Sequence, residues 1–340
     1  MMRQMMRSLT LLILLLCIAL PGFGKTEYTK IAQTGFQFLS VVSDARGAAM
    51  AGAMTTIPYG SASLFFNPAG MARMDSRVDI AASKNTWIAG IDHVTLSAAL
   101  RPMDGKLGVF GFSAQSVNYG DIQGTMVWGR EPGWMETNTF SPSAISLGAG
   151  YATKLSDRFS IGGQAKYTAQ QLGSGVVEIV TPNPDEADSL AVQKFATSTM
   201  AFDFGTLFET GFKGVSFGMN VRNFSQDVSF LSENFQLPLT FTMGISMDVM
   251  ELVPEMADGH ELQVSLDAVH PRSYPEYINL GLEYGLLDML YLRYGYLHNR
   301  DERNSTFGFG IAKFGLAVDY AYIPFGFFDE VQMLTVRFNY

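Results

Sequence analysis

Alternation of apolar and polar residues is the feature that most constrains this chain. In the last segment, LTVRFNY, every second position is apolar or aromatic: Leu334, Val336, Phe338 and Tyr340. The segments 158–167, 261–268 and 277–284 repeat the pattern. Because successive side chains of a β-strand point to opposite faces, this period of two predicts strands with one apolar face.

The first 24 residues have the pattern of a secretory signal peptide. Arg3 and Arg7 precede a short apolar stretch at 9–20, and small residues follow up to Gly24. We predict cleavage after Gly24. Cys17 is the chain's one cysteine and lies in this segment, so the mature chain is predicted to have no thiol and no disulfide.

The composition is unusual for a soluble protein. Apolar residues make up 47% and charged residues 16%, whereas about 25% charged residues is typical. Beyond the signal, the chain lacks the run of about 18 apolar residues that a spanning helix needs. Only helices and closed barrels satisfy their backbones in lipid, so we predict an outer-membrane β-barrel. An exported soluble β-sandwich or propeller is the alternative, because its strands also alternate.

The strand count supports the barrel. Fourteen strands are predicted, an even number as in bacterial barrels, at 77–84, 91–101, 106–117, 143–153, 158–170, 196–208, 214–222, 238–248, 261–269, 276–284, 290–298, 305–313, 315–323 and 331–340. With the C-terminus on the periplasmic side, the long connections (118–142, 171–195 and 223–237) fall outside, and 249–260 is a long exception on the short side. The predicted fold is all-β: an antiparallel barrel formed by residues 76–340.

Residues 25–75 do not alternate, and we predict that they form a partly helical plug. The segment 43–54 is dominated by Ala, Gly and Met, which allow close backbone packing. In SLFFNPAGMARM, Asn67 suits a helix N-cap and Pro68 the first helical position. A barrel of fourteen strands has an interior that wall side chains alone do not fill, so a plug fits there.

Residues 35–72 resemble the N-terminal signature of the PorV/PorQ family. The matching positions are Phe38, Leu39, Ala45, Arg46, Ala48, Gly52, Ala53, Asn67, Pro68, Ala69 and Gly70. The segments 278–299 and 307–326 are similar to that family's closing hairpins, whereas 118–260 shows little beyond the barrel pattern. The chain departs from many relatives at IPYGSAS (57–63), where an acidic stretch is frequent.

Two functions follow from the resemblance. PorV-like members act with type IX secretion machinery and bind exported proteins, which is the function we expect first. The NPAG motif also resembles the wider FadL group, whose fourteen-stranded, plugged barrels pass hydrophobic molecules. The expected partners are therefore outer-membrane lipid, secretion-machinery or exported proteins, and a hydrophobic small molecule.

The plug motif supplies the first candidate site residues: Asp44, Arg46, Asn67, Pro68, Ala69 and Gly70. Asn67 is interpreted either as a hinge that controls the lumen or as a structural cap. For Asp44 and Arg46 we expect a plug-to-wall ion pair rather than a ligand contact.

The external loops supply a second candidate set for a ligand or a partner protein: Met126, Trp128, Trp134, Met135, Phe230 and Phe235. Methionine and tryptophan suit adaptable apolar recognition. The alternative is that the tryptophans belong to the aromatic girdle of the barrel or pack within their loops.

Several functional classes are not expected. The formal charge is −9, and about −11 without residues 1–24, which disfavours nucleic acid. The four histidines lack metal-ligand spacing, and the acidic segment PNPDEADS (182–189) is at most a weak Ca²⁺ site. Since the chain contains no recognisable nucleophile or phosphate motif, we expect no catalytic activity, no cofactor and no metal.

Overall fold

A computed structural model of the chain describes residues 34–179, 189–231, 233–300, 304–326 and 330–340. The predicted signal peptide (1–24), residues 25–33 of the predicted plug and positions 182–188 of the acidic segment lie outside the described residues. Among the described residues, no helix is long and apolar enough to cross a membrane.

The described part of the chain contains eighteen strands. Their bounds are β1 (Val78–Thr86), β2 (Asp92–Leu100), β3 (Val109–Asn118), β4 (Ile122–Val127), β5 (Trp134–Phe140), β6 (Ser143–Lys154), β7 (Phe159–Ile179), β8 (Ser189–Glu209), β9 (Ser216–Ser225), β10 (Val228–Phe230), β11 (Glu233–Phe235), β12 (Thr240–Asp248), β13 (His260–Pro271), β14 (Tyr277–Leu286), β15 (Leu290–His298), β16 (Ser305–Lys313), β17 (Leu316–Ile323) and β18 (Val331–Asn339).

Within these residues, fourteen strands close into one antiparallel barrel, and β4–β5 and β10–β11 form two separate hairpins. The barrel closes where β1 pairs with β18, from Asp79 opposite Asn339 to Thr86 opposite Gln332. Each wall strand overlaps one of the fourteen predicted ranges, so the predicted fold class is confirmed.

The predicted alternation is present in the wall. In β2, Val94 and Leu96 are exposed, whereas the intervening Thr95 and the following Ser97 are buried towards the lumen. Leu100, Phe110, Phe204 and Phe309 belong to the same exposed apolar outer surface. A closed ladder leaves no free edge in lipid, and an apolar outer wall is stable there. The protein is therefore an outer-membrane β-barrel.

The connections differ between the two ends, as predicted. Those at the C-terminal end, which we call the inner turns, are 101–108, 155–158, 210–215, 249–259, 287–289 and 314–315. The longest of them, 249–259, contains two 3-10 turns (Val249–Leu252 and Pro254–Met256). The predicted external loop 171–195 is wrong in extent, because β7 and β8 continue outward past a bulge between Gln171 and Gly173.

Residues 34–77 run through the barrel from its outer to its inner end. Thr34 bridges to Gln236 in the external connection, and the Arg77 amide donates to the Tyr340 carbonyl at the inner end. Between them lie one short helix, α1 (Ala45–Ala49), and 3-10 turns at Gln37–Ser40, Gly60–Phe65 and Pro68–Arg73. This segment is the plug, and most of its residues are buried.

Candidate functional site

Lumen-facing glycines in the wall make room for the plug. A Cβ at Gly162 of β7 would lie 2.5 Å from the Pro68 carbonyl carbon and 2.6 Å from the Ala69 nitrogen. A Cβ at Gly205 of β8 would collide with the Asn67 side chain. Because no side chain fits at these positions, the NPAG turn lies directly on the wall backbone.

Similar close approaches continue around the barrel. A Cβ at Gly111, Gly150, Gly295 or Gly308 would also meet plug atoms at short distance. The chain has 34 glycines, and this packing explains why many of them occupy strand interiors, where glycine is otherwise unfavourable.

Asn67 holds the NPAG turn in three ways. Its Oδ1 accepts from the Ala69 amide at 3.1 Å, which caps the Pro68–Arg73 turn. Its Nδ2 donates to the carbonyls of Thr55 at 2.7 Å and Thr206 at 3.0 Å. Asn67 thus joins two plug segments to the backbone of β8, and Pro68, Ala69 and Gly70 are buried beside it.

Asp44 and Arg46 lie together on the opposite side of the lumen but take different partners. Asp44 caps α1, because its Oδ1 accepts from the Gly47 amide at 3.1 Å. Arg46 forms two hydrogen bonds with Glu283 of β14, one of them at 2.8 Å, and this bidentate pair joins plug to wall.

The ion pair continues into a buried network of wall and plug charges. Arg293 of β15 bridges Glu283 and Asp319, and its Nη1 lies 2.7 Å from the Asp319 carboxylate. Tyr59 of the plug donates to both Asp44 and Asp319, at 3.2 and 3.4 Å. Burial, reinforced by Asp319, raises the pKa of the plug carboxyl Asp44 to about 6.

A β-bulge marks the wall near the NPAG turn. The β8–β9 register shifts between Phe202 and Phe204, and Asn223 adopts a left-handed φ of 61°. The Asp203 carboxylate accepts from the Asn223 amide at 2.7 Å and pairs with Lys166 at 2.7 Å. These contacts satisfy groups that the irregular ladder leaves unpaired, so the bulge is built into the wall.

An apolar cleft of about 480 Å³ lies on the lipid side of this same wall. Outward side chains form its rim: Tyr151, Ile161, Phe204, Met219 and Phe241. Its floor includes the backbone of Gly162, Gly163 and Gly205, and Thr206, Asn220 and Val221 also line it. The lumen-side contacts of Gly162 and Gly205 place Asn67 and Pro68 behind that floor, so only strand backbone separates the cleft from the plug.

Two cavities inside the lumen, both lined by described residues, are small. One of about 60 Å³ borders Thr55, Asn220 and Asp267, and another of about 20 Å³ borders Lys166 and Asp203. An apolar cavity that binds benzene has about 150 Å³. The structure therefore represents a closed plug.

The external candidates lie apart from these contacts. Met126 and Met135 face each other across the β4–β5 hairpin, and Val127 faces Trp134. Trp128, Trp134 and Met135 are exposed there. Phe230 instead packs on Phe195 of β8, and Phe235 packs on Phe36 of the plug, with ring centroids 6.3 and 5.9 Å apart.

Phe36, Phe38 and Leu39 close the outer mouth. They are buried in one apolar cluster with residues from the outer strand ends and the external connection: Val117, Ala144, Ala201, Val228 and Leu237. Gln115 donates to the Phe38 carbonyl at 3.1 Å. The mouth therefore has an apolar site that the plug's own side chains occupy.

The sequence did not identify Glu283, Arg293, Asp319 or the wall glycines as functional. The sequence pattern that marks these residues is a charged or small residue at a lumen-facing position of an alternating strand. Gly308 and Gly310 in FGFG are an example. Among the described residues, no group of three His, Cys, Asp or Glu side chains is placed to hold a metal ion.

Comparison with known proteins gives structural matches alone. No family model matches the sequence, and no curated protein matches it. The CymD monoaromatic hydrocarbon channel superposes with a TM-score of 0.57 at 12% identity, over 88% of this chain and 97% of that chain. The Pseudomonas putida toluene transporter TodX gives 0.56 at 12%, over 91% and 98%.

A Pseudomonas aeruginosa FadL homologue gives a TM-score of 0.51 at 14% identity, over 87% of this chain and 98% of that chain. The chain has the FadL-type barrel fold. At these identities the likeness concerns the fold alone.

Proposed function

We propose that this protein is a passive, non-catalytic channel for hydrophobic small molecules across an outer membrane. The observation that carries the proposal is the apolar cleft over the glycine wall at the NPAG turn. The fold shared with proteins described as a monoaromatic hydrocarbon channel and a toluene transporter supports this function over secretion.

The outer mouth is the proposed point of entry. Phe36 and Phe38 occupy an apolar cluster there, and a hydrophobic solute has the same surface chemistry as these side chains. Phe36 has a left-handed φ of 53°, which is unfavourable for a bulky residue. The hydrogen bonds that join this segment to its surroundings are between uncharged groups, such as the Gly35 amide with Gln236 and Gln115 with the Phe38 carbonyl. A solute therefore displaces it at lower cost than the ion-paired part of the plug.

The cleft is the proposed point of exit. Its rim is apolar and open to lipid, and the part of its floor formed by Gly162, Gly163 and Gly205 is backbone without side chains. Movement of the NPAG turn away from Gly162 and Gly205 would free space directly behind that floor. A hydrophobic solute would then pass sideways into the bilayer rather than into water, which favours its transfer.

Uptake of radiolabelled toluene by intact Gram-negative cells tests the proposal. We expect cells that produce the protein to take up toluene several-fold faster than vector cells. Gly163→Leu fills the cleft from the lipid side, since a Cβ there has ordinary contacts of 3.4 Å or more. Uptake by this variant should fall to the vector level.

Ala82→Leu is the matched control, because Ala82 is an exposed residue of β1 outside the cleft. It adds the same side chain to the lipid-facing wall and should leave uptake unchanged. Wild-type uptake at the vector level, with the barrel present in the outer membrane, would refute the channel.

A second candidate function is binding of an exported or secretion-machinery protein. It is favoured by the closed lumen and by the apolar β4–β5 hairpin, which exposes Val127, Trp128 and Trp134. Replacing 122–140 by a short Gly-Ser loop should then abolish stoichiometric co-purification of a partner protein from native membranes and leave toluene uptake intact. Absence of such a partner from the wild-type preparation would remove this candidate.

A further inference from the structure

Every inner turn exposes at least one bulky apolar side chain. These residues are Met103, Leu107, Leu155, Phe212, Leu252, Leu287 and Phe314. Tight turns ordinarily carry Gly, Asn, Asp or Ser. The apolar residues therefore require another explanation than turn formation.

At three of these turns, the backbone conformation is also unfavourable for a bulky residue. Met103, Leu287 and Phe314 have left-handed φ values of 49°, 56° and 54°. Glycine or asparagine adopts this conformation more easily than a bulky residue. The three side chains are 69%, 65% and 91% exposed, so packing within the chain does not offset the strain.

The exposed turn residues continue the lipid-facing wall. Outward residues at the adjoining strand ends are also exposed and apolar: Leu100, Phe110, Leu290, Ile311 and Leu316. The inner turns join strands all around the barrel rather than in one sector. A bilayer surrounds a barrel on every side, and this distribution fits it.

The lengths of the adjoining strands limit how far the inner turns can lie from the centre of the membrane. β17 has eight residues, and β15 and β16 have nine each. At about 3.3 Å per residue and a tilt of about 40°, such strands rise about 20–23 Å, whereas the apolar band of a barrel is about 25 Å tall. A strand this short has at least one end within the apolar band, and the exposed apolar residues of the inner turns indicate that it is the inner end.

Charged residues stand directly beside the apolar ones. Asp104, Lys106, Lys213, Asp288 and Lys313 lie on the same turns or at their edges. Mixed apolar and charged side chains are typical of the membrane–water boundary, where stems and rings enter the lipid and charges remain at the headgroups.

We propose that the inner turns are lipid-binding elements, which insert Met103, Leu287 and Phe314 between the phospholipids of the periplasmic leaflet. The barrel then ends within the membrane at this side, without a collar that projects into the periplasm. The inference is independent of what the barrel transports.

Site-directed spin labelling tests this proposal on the full-length mature protein. Cys17 is the chain's one cysteine and lies in the predicted signal peptide, so a single introduced cysteine carries the label. Met103→Cys, Leu287→Cys and Phe314→Cys are labelled in bilayers of phosphatidylethanolamine and phosphatidylglycerol. Glu136→Cys on the exposed β4–β5 hairpin is the control for a label in water.

Collision of each label with oxygen, which concentrates in lipid, is compared with collision with a water-soluble nickel chelate. At 103, 287 and 314 we expect oxygen collisions to exceed nickel collisions several-fold, and the reverse at 136. Nickel accessibility at the turns equal to that at 136 would place them in water and overturn the proposal. Protection from both reagents would indicate contact with a second copy of the chain and would also overturn it.

Discussion

The plug meets the two sides of the barrel through different chemistry. Along β14–β18 glycine contacts are accompanied by buried charges and side-chain hydrogen bonds, such as Arg46 with Glu283 and the Ala45 amide with Thr335. Along β6–β8 the plug lies mainly on glycine backbone, and at mid-height Asn67 donates to the Thr206 carbonyl. At the inner end of this wall, Arg73 pairs with Glu209 at 3.2 Å and donates to the Asp157 carbonyl, but both contacts are partly exposed.

The difference indicates which side of the plug can move. Separating Arg46 from Glu283 would leave charges buried without partners, which is strongly unfavourable. Withdrawing the NPAG turn from Gly162 and Gly205 would expose apolar and backbone surface next to an apolar cleft. We therefore assign anchoring to β14–β18 and the permeable wall to β6–β8.

Glu283→Ala should have the largest effect on stability. It leaves both Arg46 and Arg293 without their shared carboxylate, and loss of one partner of a buried pair costs about 3–5 kcal/mol. Urea unfolding in detergent, followed by tryptophan fluorescence, measures the free energy of unfolding. Glu136→Ala on the exposed hairpin is the control and should change it by less than about 0.5 kcal/mol. Equal stability of the two variants would mean that β14 does not anchor the plug.

The anchored side should also respond to pH through Asp44. The usual pKa of Asp is about 3.9, and burial raises that of Asp44 to about 6. Between these values the folded protein binds more protons than the unfolded chain. The contribution of Asp44 to stability is therefore fully present below about pH 4 and is lost as pH rises through 6.

The free energy of unfolding that Asp44 contributes falls by an amount on the order of 3 kcal/mol, because its pKa differs by about two units between the folded and unfolded states. Asp44→Asn keeps an acceptor for the Gly47 amide and should abolish this part of the pH dependence. Urea unfolding at pH 4, 5, 6 and 7 compares the variant with the wild type. Identical pH profiles would show that Asp44 does not titrate in this range.

Gly205→Val should weaken the contact of the plug with β6–β8, and it should lower the free energy of unfolding by less than Glu283→Ala does. A Cβ there collides with Asn67, and overpacking costs about 1–3 kcal/mol. Because the NPAG turn must shift, we expect faster hydrogen exchange of the Ala69 and Gly70 amides, with those of α1 unchanged. Gly163→Ala, in the same wall but facing lipid, is the control. Uniformly faster exchange in α1 as well would mean that the two sides of the plug move together.

The sequence was sufficient for the barrel, because a period of two and connection lengths are local properties. It was less informative where the formation of a strand depends on tertiary contacts. The continuation of β7 and β8 past Gly173, with its φ of 118°, was predicted as loop because polar residues and glycine interrupt the alternation. The hairpins β4–β5 and β10–β11 were likewise included in loops.

The site was harder to predict for the same reason. Arg46 and Asn67 stood out through a motif, but the register of distant strands determines their partners. Arg46 pairs with Glu283, 237 positions away, and Asn67 bonds to Thr206, 139 positions away. The role of Gly162 and Gly205 is evident only from the structure, in which the plug lies directly against them.

A reversible disulfide across the outer mouth tests most directly the claim that hydrophobic solutes pass through the lumen. Thr34 and Ser273 have side-chain oxygens 2.9 Å apart, so the Thr34→Cys/Ser273→Cys pair should form a disulfide that holds the plug's outer segment closed. A Ser229→Cys/Asn234→Cys pair, across β10–β11, is the control disulfide outside the plug. The account predicts that oxidation of the 34–273 pair reduces toluene uptake to the vector level and that dithiothreitol restores it, while the control pair has no effect. Equal uptake with the 34–273 disulfide formed and reduced would contradict passage through the lumen.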